Sequence, residues 1–301
     1  MQSQVIRPND RAPLRLTDVL IEGARRLLAG GIESARLDAE LLLGHLLGKS
    51  REELLIDARI SLSEGQRQSY ERLLTCRLEG EPAAYIIGCQ EFWSREFRIT
   101  PAVLIPRPET ECLVEIALKL AINWREPLRI LDLGTGSGAI AIALGCELPQ
   151  AEIFATDISA AALDVAQMNA DVNGVAANIH FLEGDLYGAL AETQGKFHLI
   201  VANPPYIRRG DMAGLPPEVG RWEPRNALDG GIDGLDYYRR LAAESFAYLR
   251  PDGAVIMEIG ADMANPVKAL FCEARADVEI YPDYSGRDRV VVARPGTAAK
   301  N

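Results

Sequence analysis

The apolar positions of this chain change their period twice. From Leu16 to about Leu78 they recur at helical spacing. Val19, Leu20, Ala24, Leu27 and Leu28 mark a first helix, which Gly30-Gly31 ends. Leu37, Leu41, Leu42, Leu46 and Leu47 mark a second, closed by Gly48. Ser50 with Glu53 predicts a capping box for a third helix, and Ser63 with Gln66 for a fourth. Residues 1–13, polar and carrying Pro8 and Pro13, are expected to fray. Residues 14–87 therefore read as a small helical bundle. It has no compact group of catalytic side chains, so its expected job is to dock or position a partner.

From Gly88 to Ile105 the spacing shortens to two. Phe92, Trp93, Phe97, Ile99 and Val103-Leu104-Ile105 predict a β-hairpin connector over 88–105. Pro106 to Glu111 then leads to Thr110, read as the N-cap of a helix through Leu120. Beyond it, short apolar runs alternate with helical patterns. Arg129–Leu133, Ala151–Thr156, Ile179–Leu182, Phe197–Ala202 and Ala254–Ile259 read as buried strands. Val278–Tyr281 and Arg289–Ala293 read as a final pair. Strands separated by helices predict an α/β domain over 106–295, with a mostly parallel sheet covered on both faces. The stretch between Tyr206 and Leu235, rich in Gly, Pro and charge, is too long for an ordinary loop. It reads as a substrate-binding lid.

Composition narrows the function classes. Of the 301 residues, 48% are hydrophobic and 25% charged, as in a globular protein. There is no apolar run of membrane-spanning length and no signal-peptide pattern at the start. Five scattered cysteines without a C-x-x-C pair argue for reduced thiols in the cytoplasm and against zinc. The three histidines, His45, His180 and His198, read as packing residues rather than metal ligands. Net charge is −11; residues 1–87 hold 12 basic and 13 acidic side chains, so the excess lies in the α/β half. An acidic catalytic half is a poor general binder of nucleic acid phosphate and suits a cationic small molecule or a basic protein.

Candidate chemistry lies at predicted strand ends. Gly134-Thr135-Gly136-Ser137-Gly138 follows the first strand, where glycines let the backbone turn sharply and approach a ligand. Alone, such a loop also fits nicotinamide and flavin enzymes. Asp157, ending the second strand, is placed to accept from ribose hydroxyls. Asp132 precedes the loop and can organise it. Asp185, after the third strand, can accept from an adenine amine. Each aspartate alone reads better as a cap or turn residue; together they point to S-adenosylmethionine. Asn203-Pro204-Pro205-Tyr206 follows the fourth strand. The prolines stop the ladder because they cannot donate. Asn203 and the Pro204 carbonyl would be two acceptors beside the Tyr206 ring, a clamp for a planar NH2 group. On these four residues alone, a simple turn is an equal reading.

Asp132 to Gly138 resembles the cofactor loop of class I methyltransferases, and Asn203 to Tyr206 the motif of those that methylate planar nitrogens. Gly80-Glu81-Pro82, Tyr85 to Gly88, Glu91-Phe92-Trp93, Leu104 to Glu111, Glu223-Pro224, Ala227-Leu228, and Asp283 with Gly286 and Arg289 extend the resemblance to the HemK/PrmC family over residues 16–294. It implies a seven-stranded, Rossmann-like class I methyltransferase sheet with its last strand antiparallel, behind a helical N-terminal domain. It implies methyl transfer from S-adenosylmethionine to the glutamine N5 of the Gly-Gly-Gln loop of class 1 peptide-chain release factors. Carried over, Asp132, Gly134, Thr135, Gly136, Ser137, Gly138, Asp157, Asp185, Leu186 and Asn203 would hold the cofactor. Asn203, Pro204, Pro205 and Tyr206 would hold the substrate, with Asn203, Pro204 and Tyr206 catalytic. Leu186 is a departure, since some members carry a larger aromatic near the adenine.

A sister family methylates a ribosomal-protein glutamine and shares Asn-Pro-Pro-Tyr. Gly134 and the Arg107 to Glu111 stretch favour the release-factor branch. Adenine-N6 methylation of nucleic acid would need base flipping and a basic groove, which the acidic half does not offer. The chain is thus expected to act as a cytoplasmic monomer, with no membrane, metal or direct nucleic acid partner.

Overall fold

A computed structural model describes residues 15–57, 60–190 and 195–296. The N-terminal stretch expected to fray lies outside them. The chain divides into two compact units, Met1–Ile87 and Gly88–Asn301.

The first unit is helical. Its elements are α1 (Leu16–Ala29), α2 (Ala35–Leu47), α3 (Arg51–Ile56), α4 (Glu64–Leu78) and a short α5 (Ala83–Ile87) that the periodicity does not reveal. Gly48 takes φ +62° to end α2, a conformation only glycine adopts freely. Both predicted capping boxes form: Ser50 with Glu53 before α3, and Ser63 with Gln66 before α4. Leu27, Leu42, Leu43, Leu54, Tyr70 and Leu74 make a shared core. The Tyr70 hydroxyl donates to the Ala39 carbonyl, and an Asp38–Arg77 ion pair at 2.6 Å is buried in the same unit.

The second unit begins with a hairpin, β1 (Cys89–Phe92) and β2 (Arg95–Arg98). Trp93 and Ser94 turn it with φ +54° and +55°, the two positive values of a tight two-residue hairpin loop. The predicted hairpin ran to Ile105, but pairing stops at Arg98. Ile99 adds one last backbone bond, donating to the Gly88 carbonyl at 2.9 Å, while Val103 and Ile105 are buried by packing without joining a ladder. Thr110 holds the predicted N-cap position of α6 (Glu111–Ala121), but at φ −66° and ψ −21° it is already helical and its side chain makes no capping bond; Pro108–Thr110 forms a turn of 3-10 helix leading into α6.

The remaining elements are β3 (Arg129–Leu133), α7 (Ala139–Glu147), β4 (Glu152–Asp157), α8 (Ala160–Val172), β5 (Ile179–Glu183), β6 (Phe197–Ala202), α9 (Pro217–Gly220), α10 (Asp236–Tyr248), β7 (Leu249–Glu258), α11 (Ala264–Glu273), β8 (Ala276–Pro282) and β9 (Asp288–Pro295). They build the expected seven-stranded sheet, ordered β5-β4-β3-β6-β7-β9-β8, with β9 antiparallel to both of its neighbours. Leu131, Leu133, Ile200, Ala202, Val255 and Met257 share one core with Tyr238 and Leu241 of α10 and Val267 and Phe271 of α11. The alternate strand residues, such as Ile153, face the other layer, where Gly145 of α7 lies against the Ile153 side chain.

Of the histidines, only His198 is buried, as predicted. Buried in β6, its Nδ1 accepts from the Arg129 amide at 2.9 Å, so Nε2 carries the proton toward Glu126 at 3.0 Å. His45 and His180 are exposed. His180 still lays its ring against Phe154, with centroids 4.8 Å apart, so it packs from the surface rather than from within. Among the described residues no group of His, Cys, Asp and Glu could hold a metal, and no helix is long and apolar enough to cross a membrane.

Candidate active site

The strand order reverses between β3 and β6. After β3 the chain builds outward through β4 and β5, then returns to the other side of β3 as β6. Such a switch point opens a crevice at the carboxyl ends of the strands. Register decides what meets there. Leu133 pairs with Ala202 and with Thr156, so Gly134, Asn203 and Asp157 leave the sheet side by side.

The glycine loop is held from several directions. Gly134 and Thr135 donate to the Thr156 carbonyl, at 2.8 and 2.9 Å. Gly136 donates to Asp157 Oδ2 at 2.9 Å, while Asp157 Oδ1 accepts from Ser159, the N-cap of α8. From below, the Thr135 hydroxyl donates to Asp132 Oδ2 at 2.7 Å. Asn169 of α8 donates to the Ser137 carbonyl at 2.9 Å and accepts from Arg98 of the hairpin at 2.7 Å. Gly134 and Gly136 have φ +72° and +56°, and an added Cβ on either would meet nothing within 4 Å, so the loop presents bare backbone. Gly138 is different: a Cβ there would lie 2.8 Å from the Ile142 side chain, where the loop packs on α7.

An open cavity of about 110 Å³ lies over this loop, at the strand ends where ligands bind in such sheets. Gly134, Gly136, Asp157, Asp185, Leu186 and Asn203, all expected at the cofactor, line it; Pro205, expected at the substrate, lines it too. Asp132, Thr135, Ser137 and Gly138 do not; they support the loop from beneath. Asp132 is fully buried, and burial pushes its carboxyl up to about 7 against the Thr135 hydroxyl. Asp185 lies on the wall but is already paired, one oxygen accepting from Arg240 at 2.9 Å. Leu186 is held at φ +49°, a strained conformation for a branched residue and one that clusters at functional sites.

A second cavity, about 190 Å³, lies on the far side of Asn203. Pro204, Tyr206, Arg107, Glu258 and Val219 line it. Burial raises the Tyr206 phenol, keeping it neutral, and pushes the Glu258 carboxyl up to about 7. Leu104, Asn203 and Ala227 belong to both walls. Asn203 is thus a partition with a cavity on each side. Its Nδ2 donates to the Thr110 hydroxyl at 3.2 Å.

The long excursion after Tyr206 supplies the roof. It is not a bare loop: it contains α9 and two short 3-10 turns, Met212–Gly214 and Arg225–Ala227. Its ends are stitched together, with Ile207 donating to the Leu228 carbonyl at 3.0 Å and Gly230 to the Ile207 carbonyl at 2.9 Å. Buried Glu223 pairs with Arg107, tying the excursion to the segment before α6. Pro224, Asn226 and Ala227 reach the first cavity, as does Tyr237 of α10. Sequence reading missed Asn226, Tyr237, Asn169, Thr110 and Glu258 as site residues. Only the quoted Glu223-Pro224 and Ala227-Leu228 pairs hinted that the excursion turns back.

Comparison with known proteins adds the following. Residues 18–88 match the PrmC N-terminal domain, and residues 112–214 match the methyltransferase small domain. The release factor glutamine methyltransferase of Moorella thermoacetica is 46% identical over 283 residues, covering 93% of this chain and 98% of that protein. The protein of the same name from Cereibacter sphaeroides is 42% identical, covering 93% of this chain and 99% of its own length. Among solved structures, the hMettl16 catalytic domain in complex with a 3′UTR hairpin superposes with a TM-score of 0.55 over 84% of this chain and 92% of that one. At 16% identity that likeness is one of fold.

Proposed function

The chain belongs to the release factor glutamine methyltransferase family, and we propose that it methylates the side-chain amide nitrogen of the glutamine in the Gly-Gly-Gln loop of class 1 peptide-chain release factors. The observation that carries this reading is Asn203 as the shared wall of two cavities, one suited to a cofactor and one to a substrate. A methyl group must pass between two molecules at such a partition.

The residues of the first cavity fit S-adenosylmethionine. Bare glycine backbone admits close approach, and Ile158, Ala162, Leu186 and Tyr237 give apolar surface for a flat ring system. Asp157 spends one acceptor site of each oxygen on Gly136 and Ser159. A carboxylate has about four such sites, so both oxygens can still accept from ribose hydroxyls. When bound, this cofactor supplies an electrophilic methyl on a positively charged sulfur.

The chain's own part is orientation. An amide nitrogen is a poor nucleophile because its lone pair is delocalised into the carbonyl. Asn203 Oδ1 and the Pro204 carbonyl would each accept one N–H of the target, aiming the nitrogen and stabilising the positive charge that grows as the new bond forms. Tyr206 would flank the planar group, with Pro205 on the cofactor side of the partition. The excursion over 207–235 would act as the lid that excludes water. In this reading residues 14–87 dock the release factor, 88–105 connect, and 106–295 carry out transfer. The enzyme works as a monomer on a protein, without nucleic acid, which the net charge of −11 supports. A cytoplasmic site of action is supported by five cysteines that are all unpaired. The test is incubation with labelled S-adenosylmethionine and purified release factor, followed by peptide mass spectrometry. One methyl on the Gly-Gly-Gln glutamine is expected; methyl elsewhere, or none, refutes the reading.

A further inference from the structure

The side-chain amide of Asn203 has two ends of opposite character. Its carbonyl can accept from a target amide, whereas its NH2 would meet that amide donor to donor. Something must decide which end faces the cavities. Asn203 Nδ2 donates to Thr110 Oγ1 at 3.2 Å, and Thr110 Oγ1 donates to Glu258 Oε2 at 2.6 Å. Thr110 and Glu258 are 4% and 2% exposed, so the bond between them is shielded from solvent. A hydroxyl has one hydrogen. Once that hydrogen is committed to the Glu258 carboxylate, the Thr110 oxygen can only accept. It therefore holds the NH2 end of Asn203 and turns Oδ1 away, toward the cavities. We propose that Thr110 and Glu258 are positioning residues for methyl transfer, a one-way relay that fixes the Asn203 amide with its carbonyl toward the target nitrogen. The proposal rests on the role given to Asn203 above.

The direction of the relay requires an ionised Glu258. A neutral carboxyl could donate to Thr110, freeing the Thr110 hydrogen for Asn203 Oδ1 and letting the amide turn over. Several groups face Glu258: Arg289 from β9, Arg107 and Glu109 from the segment before α6, Cys112 of α6, Tyr206 after β6, and Tyr238 of α10. Burial outweighs the Thr110 hydroxyl and the two arginines, and places titration at about 7. Protonation below that range reverses the relay. Turnover should therefore fall as pH drops through about 7 and level off above it.

The test uses the full chain, purified release factor and S-adenosylmethionine. Single-turnover rates, KM and calorimetric cofactor affinity are followed across about pH 6 to 9. Thr110→Val keeps the shape and removes the hydroxyl; Thr110→Ser restores it; Glu258→Gln removes the charge. Thr110→Val is expected to slow transfer by about 10- to 100-fold with cofactor affinity unchanged. Thr110→Ser should return most of the rate, and Glu258→Gln should be slow and lack the acid limb. A folded Thr110→Val protein at wild-type rate, a loss confined to KM, or an acid limb retained in Glu258→Gln would overturn the relay. Should Thr110→Val not fold, the serine and glutamine variants carry the same comparison. Wild-type protein that transfers no methyl would overturn the functional reading, and the relay's role with it; an active wild type with indifferent variants overturns the relay alone.

Discussion

Asp157 carries two jobs in one carboxylate. It ends β4, holds the glycine loop through Gly136, and faces the first cavity. Asp157→Ala should remove charge-assisted hydrogen bonds worth about 1.5–3 kcal/mol. Cofactor affinity is then expected to weaken by about tenfold or more. Calorimetry giving wild-type affinity in a folded variant would exclude Asp157 from the cofactor site. Such strand-end residues were legible in sequence, because a polar side chain directly after a buried run has nowhere to go but the sheet edge. Asn203 was legible for the same reason, sharpened by the two prolines that stop β6. Glu258 was not. It lies inside the apolar run Ala254–Ile259, where a lone acid reads as an interruption of a strand. Its meaning comes from Thr110, 148 residues earlier, and such a distance leaves no local pattern. Thr110 does sit at the N-cap of α6, but its hydroxyl serves Glu258 and Asn203 rather than a helix amide, which no local pattern discloses.

At the level of elements, the buried strands were readable because each is a short apolar run, α1 and α2 because of their apolar period, and α3 and α4 because of their capping boxes. The hairpin was drawn too long: Val103 and Ile105 are apolar through burial against neighbours, a signal that period-two reading cannot tell from pairing. The excursion over 207–235 was recognised by its length, but not its closure, which depends on backbone bonds between its two ends. Gly230 makes that closure possible. A Cβ there would stand 2.8 Å from the Pro205 carbonyl and from Tyr206 Cα. Gly230→Ala should push the roof off the Asn203–Tyr206 segment and destabilise the fold by about 1–3 kcal/mol. Transfer should slow by about tenfold or more, as the clamp loses alignment. A variant with wild-type rate and melting temperature would show that the roof can shift without cost to the site.

Across the whole molecule, the two units hold separate cores, one of helices and one around the sheet. All residues assigned here to cofactor, clamp and relay belong to the second. A chain beginning at Gly88 is therefore expected to fold and bind S-adenosylmethionine with near-normal affinity, yet methylate intact release factor poorly. Full activity of that truncation, once thermal unfolding shows it folded, would remove the docking role from residues 14–87. The central claim is that Asn203, standing between two cavities, aims the target amide, and it is tested most directly by its own substitution. Asn203→Asp keeps an acceptor and nearly the same volume but loses the NH2 that Thr110 holds, and adds charge beside the cofactor's sulfur. Single-turnover transfer and cofactor affinity should be measured together in Asn203→Asp and Asn203→Ala. Near-normal cofactor affinity for Asp, with transfer slowed by about 10²–10³-fold in both variants, is the predicted result. Wild-type transfer rates in both would contradict it and leave Asn203 as no more than the turn at the end of a strand.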